Sequence, residues 1–430
     1  MRRTGRTLTA CAVVVCALVG TAHAAPGLLV GVADDGLKWG DKPHALRALG
    51  YTRDLGIRAV RVTVPWRPGQ THLPVAQRPP VDRMILATWG GGLRVVLAVY
   101  GRPDDAPRTD AGRTAYCMFA ASLLRRYPGV NDIVIWNEPN TNRFWRPQFD
   151  ADGRSVVPAA YEALLARCWD LLHAVRPSAN VISASSARGN DNPAVGNASH
   201  SPVNFYRMVG ESYRASGRSR PILDTVGHNP YPASSTERPW VRHTSSKAIG
   251  QGDYEKLMSV LEDAFGGTGQ PLPGQGRVSI WYMEQGFQTE VDRAKAGFYH
   301  GTETDRRALP AWLGTLADIP DGPAPDQATQ LTDALNVAYC QPAVAAFFNF
   351  ELADEPSLAG WQSGLLWTDH TPKPSYRPFK AAVRNIASGR VDCARYARAA
   401  ARAGGSIGFS TTPGKPGRDK KKPPSIVVVK

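Results

Sequence analysis

The chain has 430 residues, 43% of them hydrophobic, with 41 glycines, 35 prolines and a formal net charge of +14. This composition excludes an acidic disordered chain, a coiled coil and a collagen, and the length admits either two or three domains or one large α/β barrel. A charge of +14 raises a nucleic-acid or membrane partner unless it lies outside the folded body.

Taken in chain order, much of the charge does lie outside. Arg2, Arg3 and Arg6 form a basic n-region, Ala10 to Gly20 is apolar, and Ala22-His23-Ala24 is a small-x-small cleavage site. This is the pattern of a secretory signal peptide over residues 1–24, cleaved after Ala24, and implies a secreted protein. The apolar stretch is too short to span a bilayer, and no later run reaches 18 apolar residues, so no membrane span is expected.

The body then alternates strand-like and helix-like runs. Strands are predicted at Leu28–Ala33, Ile57–Val64, Leu93–Tyr100, Asp132–Asn137, Asn180–Ser185, Leu223–Gly227, Val278–Met283 and Val344–Phe350. Helices are predicted at Pro43–Leu55, Ala111–Tyr127, Ala159–Val175, Pro202–Ala215, Tyr254–Phe265, Ala324–Cys340 and Tyr376–Ile386. From Gly404 onward the Gly-, Pro- and Lys-rich sequence has no period and reads as a disordered tail over residues 404–430. Of the +14, residues 1–24 hold +3 and the tail a net +5, which leaves +6 for residues 25–403 with no basic stripe. No nucleic-acid partner is expected. The tail is a candidate for weak contact with an anionic cell-wall polymer, and a solvated tail is the competing reading.

Eight strands separated by helices give the α/β class and a single (β/α)8 TIM barrel with enlarged βα loops over residues 25–403. A doubly wound open sheet is the alternative, and the lack of a Gly-rich phosphate loop after the first strand weighs against it. Four cysteines remain after signal removal, an even number that favours disulfides in an exported protein. Barrel topology puts Cys117 and Cys168 on consecutive outer helices and Cys340 and Cys393 at the ends of the last two, so 117–168 and 340–393 are the expected pairs. Their spacing fits no metal motif, and neither a metal nor a cofactor is expected.

Active sites of such barrels lie where strands end. Glu138 follows the fourth strand in Ile133-Val134-Ile135-Trp136-Asn137-Glu138-Pro139, and Glu284 follows the seventh in Ile280-Trp281-Tyr282-Met283-Glu284-Gln285-Gly286. A carboxylate after an apolar strand needs a compensating partner or a purpose. Two carboxyls converging on one cleft suit glycosidic bond cleavage, one protonated to assist the leaving group and one ionised to attack the anomeric carbon.

These segments resemble clan A glycoside hydrolases, the retaining barrel glycosidases that include cellulase-like and β-xylosidase-like families. Trp136-Asn137-Glu138-Pro139 resembles the clan's Asn-Glu-Pro, which implies Glu138 as acid/base and Asn137 as a ligand of the sugar 2-hydroxyl. Glu284-Gln285-Gly286 is similar to its Glu-x-Gly, which implies Glu284 as nucleophile, with Met283 in place of the usual Thr or Ser. Gly56 to Val62 resembles the second-strand motif whose arginine, here Arg61, bonds the nucleophile. His228-Asn229-Pro230-Tyr231 resembles the sixth-strand His/Tyr element with one extra residue between His228 and Tyr231. Gly364-Leu365-Leu366 and Lys373-Pro374-Ser375-Tyr376 resemble the clan's C-terminal pattern, while Phe348 and Phe350 occupy the strand where a tryptophan is expected. Glu351 and Glu355, after the eighth strand, are rival carboxylates to Glu284.

Loop tryptophans suit a carbohydrate cleft, because indoles stack on the C–H faces of sugars. Trp39, Trp145 and Trp361 are the chosen binding candidates, with Trp66, Trp240 and Trp367 also in or beside loops. The loops at 142–157, 232–252 and 287–323 exceed or approach about 15 residues, the length at which loops are usually functional. The expectation is a secreted retaining glycosidase acting on a poly- or oligosaccharide. A non-catalytic carbohydrate-binding barrel associated with the cell wall is the alternative.

Overall fold

Parallel strands buried on both faces read as unbroken apolar runs, and eight such runs here close on one another. The computed structural model describes residues 27–39, 42–303 and 325–402, all within one unit spanning Ala24–Gly408. The strands are β1 Leu29–Ala33, β2 Ala59–Pro65, β3 Arg94–Tyr100, β4 Asp132–Ile135, β5 Asn180–Ile182, β6 Thr225–His228, β7 Ser279–Gln285 and β8 Val344–Phe350. Each pairs in parallel with the next, and β8 returns to β1 with Ala33 opposite Phe350, which closes the barrel. The expected eight-stranded parallel barrel is therefore present, not an open doubly wound sheet. The expected signal peptide, the basic tail and part of the 287–323 loop lie outside the described residues.

Helices surround the barrel: α1 Gly36–Trp39, α2 Lys42–Leu55, α3 Arg78–Gly90, α4 Asp110–Arg126, α5 Val157–Val175, α6 Pro202–Ala215, α7 Tyr254–Phe265, α8 Gln327–Tyr339, α9 Tyr376–Ala387 and α10 Cys393–Arg402. Their starts are encoded locally. Thr109, Ser201 and Asp326 each accept a hydrogen bond from the backbone N–H three residues on, capping α4, α6 and α8. α1, α3 and α10 go beyond the elements predicted from sequence. In α3 the Arg78-Pro79-Pro80 start reads as a breaker, yet proline in a first turn lacks only an N–H that has no intrahelical partner. Val81, Met84, Ile85 and Thr88 then bury one face at helical spacing.

Volume is balanced inside the barrel. Ala33, Ala59, Ala98, Ala184 and Ala346 leave room for Trp281, Met283 and Phe348. At the N-terminal end, Arg94 donates two 2.7 Å hydrogen bonds to Asp132 and lies 4.9 Å from the Trp281 ring. Polar chemistry there is used up in structure, and the C-terminal end is left for the site. No helix among the described residues is long and apolar enough to cross a membrane.

Two disulfides tie the outer ring: Cys117–Cys168 joins α4 to α5, and Cys340–Cys393 joins the end of α8 to the start of α10. The first closes 51 residues of chain. Replacing both Cys117 and Cys168 by Ala should lower stability by about 3–4 kcal/mol through the freed unfolded chain. Guanidinium unfolding at equilibrium measures it, and an unchanged midpoint would show that the bond adds nothing to the packed α4–α5 contact.

Candidate active site

The alternation of β2 decides which of its side chains reach the site. Val60, Val62 and Val64 are fully buried toward the helices, while Arg61 and Thr63 face the cavity at the C-terminal mouth. Arg61 is thus held on a rigid strand. Its Nη1 makes a 2.7 Å ion pair with Glu284 Oε1, and its Nη2 donates to Asn137 Oδ1 at 2.9 Å. One guanidinium therefore spans β2, the end of β4 and β7 (fork geometry that lysine lacks).

β4 ends in a constrained turn. Trp136 and Glu138 both have positive φ, 64° and 35°, a region side chains avoid at a cost of order 1–3 kcal/mol each. Neighbours enforce it. The Trp136 N–H donates to Val99 O and to the Tyr116 hydroxyl, its indole N–H donates to Phe144 O, and its ring packs against Trp66, Tyr116 and Trp145. Asn140 donates to Ser186 Oγ and His200 O and accepts from Ser186 N, fixing the other side of the turn. The result presents Asn137 and Glu138 together to the cavity.

On β7, Trp281 and Met283 face the barrel core, so strict alternation would turn Glu284 outward. The register against β8 shifts between Tyr282 and Gln285, and this irregularity re-aims Glu284 inward. Gly286 completes the approach: a Cβ there would lie 2.6 Å from Phe350 O. The glycine of the Glu-x-Gly sequence is required for β7 and β8 to converge at their ends.

Glu138, Glu284, Asn137, Arg61 and Tyr231 line one cavity of about 390 Å³, together with Trp361. The Tyr231 hydroxyl donates to Glu284 Oε2 at 3.2 Å, and the Asn229 amide donates to Glu138 Oε1 at 2.9 Å. Burial, followed by the charge of Glu284, pushes Glu138 up to about 7, while Asn229, Arg143 and Arg61 pull the other way. Glu284 is 8% exposed and has an arginine partner; Glu138 has none at ion-pair distance among the described residues. One carboxyl is in surroundings that favour the neutral acid, and the other is paired with a cation.

Two of the binding candidates lie elsewhere. Trp145 is fully buried beneath Trp136 and against Tyr161, a packing residue behind the turn and not part of the cavity wall. His228 is also fully buried; its Nε2 donates to Ile249 O and its Nδ1 accepts from the Ser185 hydroxyl. Burial pushes His228 down to about 4, a neutral structural imidazole. The residue after it, Asn229, makes the contact with Glu138. Trp66, Trp240 and Trp367 are buried, Trp361 is half-buried and ring-to-ring with Tyr231 at 5.3 Å, and the side chain of Trp39 lies outside the described residues.

The sequence reading did not single out Asp34, Asp35, Tyr100, Arg143 and Phe144, which also line the cavity. Asp34-Asp35 follows β1 as Glu138 follows β4, so carboxylates after apolar strands would have found them. Glu351 and Glu355 line the same cavity beside Glu284 without displacing it from Arg61. No group of three or more His, Cys, Asp or Glu side chains among the described residues is placed to hold a metal ion.

No family model matches the chain, and no curated protein matches it. Solved structures do. The virulence factor SghA, seen with its substrate analog salicin, is similar at TM-score 0.54 and 13% identity over 84% of this chain and 96% of its own. The exo-β-1,4-mannosidase Op5Man5 from Opitutaceae bacterium strain TAV5 is similar at TM-score 0.50 and 14% identity over 85% of this chain. The β-galactosidase from the psychrophilic Marinomonas ef1 is similar at TM-score 0.50 and 11% identity over 86% of this chain. The match spans 60% of the mannosidase and 61% of the galactosidase. At these identities the likeness is one of fold.

The Asn229 amide favours the ionised form of Glu138, so removing it should raise the Glu138 titration above about 7. Carbon-13 NMR titration of the Glu138 carboxyl in wild type and Asn229→Ala reads this directly. An unchanged or lowered midpoint would remove Asn229 from the control of Glu138.

Proposed function

We propose that this chain is a secreted retaining glycoside hydrolase that cleaves O-glycosidic bonds of a poly- or oligosaccharide by double displacement. The observation that carries the reading is the contrast within one cavity: Glu284 ion-paired to Arg61 at 2.7 Å, and Glu138 pushed by burial up to about 7. Such a divided pair is what acid and nucleophile roles require. Glu138 protonates the leaving oxygen as Glu284 attacks the anomeric carbon, and Glu138 then activates water against the glycosyl-enzyme. Arg61 and Tyr231 orient the Glu284 carboxylate, and Asn137, anchored on Arg61, offers its amide to the sugar. Trp361 gives one face for stacking.

The clan A reading, cellulase-like or β-xylosidase-like, rests on the Asn-Glu-Pro and Glu-x-Gly sequences at the ends of β4 and β7. Solved neighbours described as a mannosidase and a galactosidase support a barrel of glycosidase type. Export through a signal ending at Ala24 is supported by two disulfides, which persist in oxidising compartments. The long segments after β4, β6 and β7 are proposed as the walls of the glycan cleft, and the basic tail as a contact for an anionic wall polymer.

A screen of purified protein on aryl glycosides and polysaccharides tests the activity, and binding without turnover would favour the carbohydrate-binding barrel instead. Glu284→Ala should reduce turnover at least about 10⁴-fold, with azide restoring glycosyl transfer. Undiminished activity would assign the nucleophile elsewhere. Because the acid must be protonated, kcat/KM should fall as pH rises through about 7. A rate still climbing at pH 9 would contradict the role of Glu138.

A further inference from the structure

The segment that carries Tyr231 has few ways to be held. Tyr231 lies between Pro230 and Pro232, neither of which has an N–H to give a neighbouring strand. Asn229 still pairs with the chain after β5, its N–H donating to Ser185 O at 2.8 Å. Beyond that point the Tyr231 carbonyl accepts a 2.7 Å hydrogen bond from Arg188 Nη1, a half-buried side chain on the connection after β5 that is not part of the cavity wall. The other arm of this guanidinium lies 3.5 Å from Glu237 Oε1, which also accepts from the Ala233 N–H at 2.9 Å. Glu237 Oε2 is 3.3 Å from His243 Nε2, and His243 Nδ1 is 2.6 Å from Asp253 Oδ2. Asp253 is buried and accepts from the backbone N–H groups of His243 and Gly250 as well. With a carboxylate at each ring nitrogen, Asp253 first and Glu237 second, His243 is pushed up to about 9 and donates from both nitrogens. Glu237 therefore sits between two cations, and it offsets the 3.2 Å approach of Arg188 Nη2 to His243 Nε2.

The main chain of Arg188 faces the other carboxyl. Its carbonyl accepts from the Ser186 hydroxyl at 2.7 Å, and Ser186 and Asn140 hold each other beside the turn that presents Glu138. Building on the glycosidase reading, we propose that Arg188 is a positioning residue: it clamps the Tyr231 backbone so that the Tyr231 hydroxyl meets Glu284, while its own main chain braces the Glu138 turn. The guanidinium reaches the Tyr231 carbonyl and Glu237 with different nitrogens, a planar fork that a single ammonium does not reproduce. Asp253, His243 and Glu237 hold that fork from behind. Arg188 touches no reacting atom. It acts through Tyr231, whose hydroxyl is 3.2 Å from Glu284 Oε2. Misplacing such a contact by about 1 Å is enough to cost on the order of 100-fold in rate.

A double-mutant cycle on the full chain separates this role from a merely structural one, read on an aryl glycoside that the wild type turns over. Arg188→Ala should lower kcat by about 10- to 100-fold and leave KM within about threefold. In a Tyr231→Phe background, where no hydroxyl remains to be positioned, the same substitution should cost less than about threefold. Arg188→Lys should recover part of the rate. An Arg188→Ala loss of equal size in both backgrounds makes Arg188 a loop clamp and overturns the proposal, as does no loss at all. Should Arg188→Ala fail to fold, Arg188→Lys carries the cycle, with a smaller loss that again depends on the Tyr231 hydroxyl. Carbon-13 NMR of the Tyr231 ζ-carbon gives a reading that needs no turnover. Its signal should move in the Arg188 variant as the hydrogen bond to Glu284 loosens, and an unmoved signal overturns the proposal while wild-type turnover leaves the glycosidase reading standing. A wild type that turns over no glycoside sinks the glycosidase reading, and a Tyr231 signal that moves in the Arg188 variant then still upholds the clamp on Tyr231.

Discussion

The site depends on one buried guanidinium. Arg61 sits on β2, and its two ends reach Glu284 on β7 and Asn137 after β4. Removing it would leave a carboxylate that is 8% exposed without its cation, the situation in which breaking a buried pair costs about 3–5 kcal/mol. The geometry around it follows. The irregular β7–β8 register exists where Glu284 must turn inward, and the positive-φ turn at Trp136 and Glu138 exists where Asn137 must meet the other guanidinium nitrogen. Backbone strain collects at this mouth, while the β7–β8 register also shifts near the other end of the barrel, between Ile280 and Trp281. That distribution is expected where backbone strain serves a site and packing over-determines it.

A second buried ion pair supports the opposite wall. Lys373 and Asp354 meet at 2.7 Å with both side chains fully inaccessible, and Lys373 also donates to Thr289 Oγ1 and Gln362 O. These bonds hold the segment after β8 that carries Glu355 and Trp361 against the segment after β7. The Lys-Pro-Ser-Tyr sequence before α9 is thus a structural device under the cavity wall. A buried pair of this kind fixes one arrangement of two long connections, where an apolar contact would allow several.

The barrel was legible because buried parallel strands leave apolar runs such as Arg94–Tyr100. Arg61 was legible from the resemblance of Gly56–Val62 to a second-strand motif, and Glu138 and Glu284 from carboxylates at strand ends. The failures have physical causes. α3, which no expected element covered, opens with two prolines that a first turn tolerates. His228 and Asn229 differ by one position at the end of β6, and one position changes which side of the wall a side chain meets. Trp145 looked like a loop aromatic, yet it packs under Trp136 and shapes the turn from behind. Indole type and loop position do not tell stacking platforms from packing residues; contact with a neighbouring ring does.

Charge gives the last contrast between sequence and site. The chain is basic overall at +14, yet the cavity is lined by Asp34, Asp35, Glu138, Glu284, Glu351 and Glu355 against Arg61 and Arg143. Physiological salt screens exposed charges over about 8 Å, so surface lysines and arginines farther away do not set the potential inside. Within the cavity the charges are partly desolvated and interact strongly, which is why Glu138 responds to Glu284, and Glu351 to Asp34 and Glu355. Net charge describes how the whole molecule meets solvent and polymers, whereas the cavity's chemistry is set by which of its carboxyls burial and neighbouring charge keep protonated, Glu138 among them, and which a cation keeps ionised, as Arg61 does Glu284.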